Sequence, residues 1–262
     1  MEEERKWEDM NQDCLIEVFK KVGEEAIESL ILDVPFVCKS WYKASLDPQC
    51  WKALFLPKLT DTPWPPFNPS EFNNFSRRFM KEFHVQNFSV RGFLKFVISR
   101  SRRSAILLAL PTCCTLEDLE FVSDEFPALQ FLILSDTVAG EIDDYSVWPP
   151  MSKFKDLRGL TLGLLPNCLE EFLTDVGLNC KKFESLTMSG PINSEDALAI
   201  VTHLPTIKSL HLRGSRLLRE DLKIILEGCK ELCLLDVRDC VGFEVDDEIL
   251  KLASRSYQHL LV

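Results

Sequence analysis

The sequence predicts an α/β solenoid of about seven strand–helix repeats, the last one truncated, preceded by a small all-α domain. Three observations predict it. The first is a recurring pattern: an apolar residue, two variable residues, Leu, one variable residue, then another apolar residue. It starts at Ala105, Leu129, Leu157, Phe183, Ile207, Leu232 and Tyr257, in steps of 24, 28, 26, 24, 25 and 25 residues. The second is an apolar or small residue three positions before most starts: Phe126, Phe154, Cys180, Leu204, Cys229 and Ser254. Proline follows Phe126 and Leu204, which suits the end of a helix. The third is the Leu-x-Leu spacing itself, which puts two side chains on one face of a strand while a helix-like stretch packs on the other side. One such unit cannot bury its apolar face alone, so neighbours must stack.

The runs Cys180-Lys-Lys-Phe183-Glu-Ser-Leu186-Thr-Met188 and Cys229-Lys-Glu-Leu232-Cys-Leu-Leu235-Asp-Val237-Arg-Asp-Cys240 closely resemble the cysteine-containing subclass of leucine-rich repeats. At 262 residues, 46% of them apolar, there is length for one elongated domain and a small one. No run of about 18 apolar residues suggests a membrane span. The acidic opening Met1-Glu-Glu-Glu-Arg-Lys lacks an apolar signal segment, so a soluble protein of the cytoplasm and/or nucleus is expected, with its ten cysteines reduced. The cysteines show no paired short spacings and no histidine at ligand distance, so no metal or other cofactor is expected. The net charge of −11 is unevenly spread: residues 1–33 hold eleven acids against four bases, residues 77–103 eight bases against one acid.

In chain order, Leu15, Val18, Phe19 and Val22 follow i, i+3, i+4, i+7 spacing and predict a short amphipathic helix, its apolar face widened by Cys14 and Ile16. A second apolar helix covers Ala26–Leu32 and is interrupted at Pro35. Residues Met10, Asn11, Asp13, Leu15, Val18 and Val22, the run Phe36-Val-Cys-Lys-Ser-Trp41 and Trp51 together resemble an F-box, and Phe36–Trp41 after Pro35 looks like its plant members. Asn11 stands where the family has proline and Met10 where it has leucine, and the lost proline is expected to loosen the first turn. The resemblance implies docking on a Skp-family adaptor that tethers a cullin and a RING subunit. The contacts it implies are Met10, Leu15, Ile16, Val18, Phe19, Val37 and Trp41, some of which must instead hold the helical core.

Pro57, Pro63, Pro65, Pro66 and Pro69 predict a stiff connection. Residues 71–103 then interleave seven phenylalanines with eight bases, and Gly92–Ser99 reads as the helix before the first repeat strand. A basic, aromatic segment could bind nucleic acid, but the acidic chain, of pI about 5.0, argues for phenylalanines that seal the end of the solenoid. The domains are thus 1–56 (F-box), 57–90 (link and lead-in) and 91–262 (repeats).

Within the repeats, Thr115-Leu-Glu-Asp118 reads as a capping box. Ala197, Leu198, Val201 and Leu204 read as one inner helical stripe, and Leu218, Leu222, Ile225 and Leu226 as the next. The residues between the fixed strand positions should face outward on a concave surface. They run from apolar (Leu107, Ala109, Phe131, Ile133) through small and hydroxylated (Thr161, Ser185, Thr187, Ser209) to charged (His211, Arg213, Asp236, Arg238). From these, the candidate target contacts are Phe131, Ile133, Thr161, Thr187, His211, Arg213, Asp236 and Arg238. Phe131 and Ile133 either mark a contact or lie under the insertion Val138–Pro150, whose Tyr145 and Trp148 could themselves be contacts.

No nucleotide loop, nucleophile elbow, zincin motif or triad is present, and the four histidines are scattered. The expected role is therefore non-catalytic: substrate recognition for an SCF-type (cullin-RING) ubiquitin ligase, with the F-box holding the adaptor and the repeats holding a target protein. Two readings stand beside it. One is a leucine-rich-repeat scaffold without a ligase role, in which residues 7–56 only cap the array. The other is a ligand-sensing F-box receptor.

Overall fold

A computed structural model describes residues 7, 10–57, 74–134, 148–254 and 259–262. The chain divides into two compact units, Met1–Leu129 and Gln130–Val262. Most of the proline-rich link, Ser135 and the insertion up to Tyr145, and Tyr257 lie outside the described residues.

In the first unit α1 (Gln12–Glu25), α2 (Ile27–Leu32) and α3 (Lys39–Ser45) pack together, with 3₁₀ turns at Val34–Phe36 and Pro48–Trp51. The core side of α1 is Leu15, Ile16, Phe19 and Gly23. Gly23 is required: a Cβ there would lie 2.3 Å from the Cys50 carbonyl oxygen, so only glycine lets α1 meet the 3₁₀ turn. Trp51 is buried and its indole N–H donates to the Ser45 carbonyl at 2.8 Å. Asn11 does not loosen the first turn. It is the N-cap of α1, its side-chain oxygen accepting the Asp13 N–H at 2.8 Å.

The segment expected to be wholly helical up to residue 56 ends instead in a strand. Ala53–Phe55 (β1) pairs in parallel with Leu107–Ala109 (β2), Leu54 opposite Leu108. Trp51, Leu54 and Leu56 repeat the apolar-x-x-Leu-x-apolar pattern and are all buried. Between the two strands come α4 (Asn74–Glu82) and α5 (Val90–Ser101), the latter capped by Ser89, which accepts the Gly92 N–H at 3.1 Å. Their phenylalanines form a ring network, with Phe79–Phe83 at 4.6 Å and Phe75–Phe93 at 5.3 Å between centroids. The basic residues here are largely occupied within the unit: Arg78 pairs with Asp33, Arg91 with Asp118, and Arg103 donates to the Asp124 and Glu125 carbonyls. The helix α6 (Leu116–Glu125) opens on the expected capping box of Thr115 and Asp118.

In the second unit, parallel strands stand in the order β3 (Phe131–Ile133), β4 (Gly159–Leu164), β5 (Ser185–Ser189), β7 (Ser209–His211), β9 (Leu234–Asp236) and β10 (His259–Leu261). The repeated leucine stays in register throughout: Leu132, Leu160, Leu186, Leu210, Leu235 and Leu260 are successive partners. A short second ladder pairs β6 (Pro191–Ile192) with β8 (Arg216–Leu217). The connecting helices are α7 (Leu169–Asn179), α8 (Ser194–His203), α9 (Arg219–Gly228) and α10 (Asp247–Ser254). Together these elements make an α/β repeat fold.

The residue three places before each strand start has a physical task. Cys180 caps α7 by donating its N–H to the Val176 carbonyl at 2.8 Å, and its own carbonyl accepts the Phe183 N–H at 3.0 Å. Leu204 and Cys229 do the same at the ends of α8 and α9. This pair of bonds turns helix into strand at a fixed distance, which is why the spacing repeats.

Two inner stripes need correction. On α8 the buried set is Ala197, Ala199 and Ile200, continued by Leu204, while Leu198 is 52% exposed. Before α9, Leu218 is the N-cap and exposed, so its inner stripe is Leu222, Ile225 and Leu226. Leu198 lies off the Ala197–Ile200–Leu204 side of α8, and Leu218 precedes the first turn of α9.

Candidate functional site

The candidate adaptor contacts fall into three groups. Leu15, Ile16 and Phe19 are buried in the packing of α1, so in the free chain they are core side chains. Val18 and Val37 are exposed, at 42% and 59%. Met10 and Trp41 lie between. Trp41 stacks edge-on against Phe19 at 5.2 Å and against Trp7 at 6.5 Å, its indole N–H reaching the Trp7 carbonyl at 3.5 Å. The pattern did not single out Trp7, Phe36 or Tyr42, yet all three are exposed apolar residues around the chosen ones. Exposed aromatic and branched side chains on elements that pack together are what a docking surface requires.

The second unit builds the other candidate surface from the outward positions of its strands. Register sets them in rows. Phe131, Gly159, Ser185, Ser209 and Leu234 form one, and Ile133, Thr161, Thr187, His211 and Asp236 the next. The second row runs from apolar through hydroxylated to charged, as expected, whereas the first ends on Leu234. Phe131 is half-buried because its ring lies over Gly159, where a Cβ would come within 2.7 Å of Phe131 Cδ1. Ile133, Thr161 and Thr187 are likewise partly exposed.

At the charged end Asp236 is not a free contact. It is 4% exposed, and Arg238 donates to both of its oxygens, Nε to Oδ1 at 2.9 Å and Nη2 to Oδ2 at 2.7 Å. The guanidinium holds the carboxyl well below its usual range, at about 2, with the Arg238 backbone N–H and His211 adding to the effect. His211 Nδ1 lies 3.8 Å from the same carboxylate, and Arg213 pairs with Asp239 at 2.8 Å. Thus Arg238 is fixed from below by a buried anion while remaining exposed.

Trp148 is a core residue rather than a contact. It is buried against Phe172 at 5.0 Å, and its N–H reaches the Met151 sulfur at 3.3 Å. The cysteines are thiols, and burial pushes Cys50 and Cys180 up to about 12 and Cys229 to about 11, so these three stay protonated near neutral pH. Among the described residues no group of three or more His, Cys, Asp or Glu is placed to hold a metal ion.

A parallel-strand repeat unit with a patterned outer face is thus joined in one chain to a helical segment with exposed apolar residues. Comparison with known proteins specifies the kind of protein. No family model matches the chain. An Arabidopsis thaliana F-box/LRR-repeat protein is 28% identical over 239 residues, covering 89% of this chain and 72% of the relative. The Arabidopsis F-box proteins FBW2 and SKIP1 are 22% and 23% identical, over 94% and 92% of this chain and 72% and 81% of their own lengths. The chain is a homologue of plant F-box/leucine-rich-repeat proteins.

Proposed function

We propose that the chain is the non-catalytic, substrate-recognising subunit of an SCF-type (cullin-RING) ubiquitin ligase. Residues 1–56 act as the F-box, docking on a Skp-family adaptor through Val18, Val37 and the neighbouring Trp7, Phe36, Trp41 and Tyr42. Residues 57–90 link it to the repeats, and residues 91–262 hold a target protein on the outer strand face, in the cytoplasm or nucleus. The observation that carries this reading is the exposed apolar set on α1–α3, in a chain whose relatives are named F-box proteins. Exposing such side chains costs solvation that burial against a groove returns, at about 25 cal/mol per Å² of apolar surface.

The test is ubiquitin transfer by a reconstituted assembly of adaptor, cullin, RING subunit and this chain. The reading expects ubiquitylation of the chain itself or of a captured target, lost on Val18→Asp with Val37→Asp. A folded chain that supports no transfer under any pairing would contradict it. One observation favours the rival scaffold: Trp51, Leu54 and Leu56 join the preceding helices directly to a repeat-type strand, as a cap would be joined. The same assay separates the two, since a cap has no reason to bind the adaptor.

A further inference from the structure

We propose that the cleft between α4 and α5 is a binding site for a small, neutral aromatic molecule carrying one hydrogen-bonding group, in the class of the phenols and indoles. The site is a cavity of about 210 Å³ walled by Phe79, Phe83, Phe88, Phe93 and Phe96, with Val85 at its mouth. Phe79 and Phe93 are 6% and 1% exposed, yet they border open space instead of filling it. Protein interiors are close-packed, so a cavity lined by this many rings is unusual.

A turn that carries Val85 borders it. His84, just beyond the end of α4, adopts a left-handed φ of 53°, and the Val85 N–H returns to the Met80 carbonyl at 3.0 Å. The chain then runs outward through Asn87 to the Ser89 cap of α5, leaving Val85 40% exposed.

Size and chemistry select the ligand. An apolar cavity of roughly 150 Å³ accepts a benzene molecule, so this one has room for a substituted ring or a fused pair. The wall rings stand mostly edge to face, Phe79 against Phe93 at 89° and Phe83 against Phe96 at 63°, and so offer both edges and faces to an inserted ring. None of the residues that line it is ionisable, so a charge held there would lose hydration, which disfavours ions. The polar residues that line the cavity are Asn87 and Ser89. The Ser89 oxygen already accepts the Gly92 N–H, so its hydrogen is available to donate. A polar substituent on the ring can therefore be met on this side of the cavity.

The experiment titrates p-cresol into the full chain, followed by calorimetry and by NMR. Toluene, which lacks the hydroxyl, is the control. Saturable one-site binding is expected, with nuclear Overhauser contacts from the cresol ring to the Phe88 and Phe93 ring protons of the unaltered chain. Val85→Trp, at an exposed position, should weaken binding at least tenfold by filling the mouth. Asn87→Ala should weaken p-cresol about fivefold, the scale of one hydrogen bond, and leave toluene unchanged. A folded chain that shows no saturable binding, or contacts to other rings only, overturns the proposal. Undiminished binding in Val85→Trp does so too.

Discussion

Asp236 is buried beneath Arg238 and accepts from both nitrogens of its fork, so its charge is part of the folded state. Its carboxyl, near 3.9 when unfolded, sits at about 2 in the fold. A depressed carboxyl contributes stability that is fully present above the unfolded value and lost as pH falls through the folded one. Denaturant titrations of the intact chain should therefore show a loss between about pH 4 and pH 2 that Asp236→Asn lacks. An identical acid profile for the two proteins would deny the ion pair its role. Asn11 acts at the same scale. Capping α1 through the Asp13 N–H, Asn11→Ala should cost about 1 kcal/mol of stability, read from the denaturant midpoint. A stabilised variant would return Asn11 to the status of a defect where the family has proline.

Elements depend on which side of them faces inward. Leu15 is 1% exposed and Val18 is 42% exposed, three residues apart on α1. Leu15→Asp should abolish cooperative unfolding of the first unit, whereas Val18→Asp should leave it within about 0.5 kcal/mol of the parent, as measured by circular dichroism in denaturant. In the strands, Leu186 is fully buried and stands in register between Leu160 and Leu210, so Leu186→Ala should cost about 2–5 kcal/mol. A cost under 1 kcal/mol would mean the ladder does not hold the unit.

Strands in the second unit were legible because helix caps such as Cys180 and Leu204 bond to the strand starts and impose a near-constant period on the sequence. β1 was not, although Trp51-x-x-Leu54-x-Leu56 has the same form: it lies 54 residues before Ala105, about twice the repeat, and reads equally well as the end of a helical domain. The adaptor residues could not be divided by spacing either. Core and docking side chains share the wide apolar face of α1, and only packing against Gly23 and the Pro48–Trp51 turn decides which is which. Leu198 and Leu218 misled for a related reason, since leucine content fixes neither the buried side of a helix nor its first residue: Leu198 lies off the buried side of α8 and Leu218 precedes α9.

At the scale of the molecule, each unit contains a parallel ladder centred on the same repeated leucine, and each presents a different surface. The first offers exposed apolar side chains on and around its helices, suited to burial in a partner's groove. The second offers a graded strand face from Phe131 to Arg238, suited to reading one target along several contacts. The proposed role calls for separate surfaces for the Skp-family adaptor and the target. The most direct measurement is a calorimetric titration of the full chain with a purified Skp-family adaptor. The account predicts saturable one-to-one binding with a negative heat-capacity change, retained by Phe131→Asp with Ile133→Asp and lost in the folded Val18→Asp, Val37→Asp variant. Absence of binding by the intact, folded chain, or binding unaffected at Val18 and Val37, would contradict it.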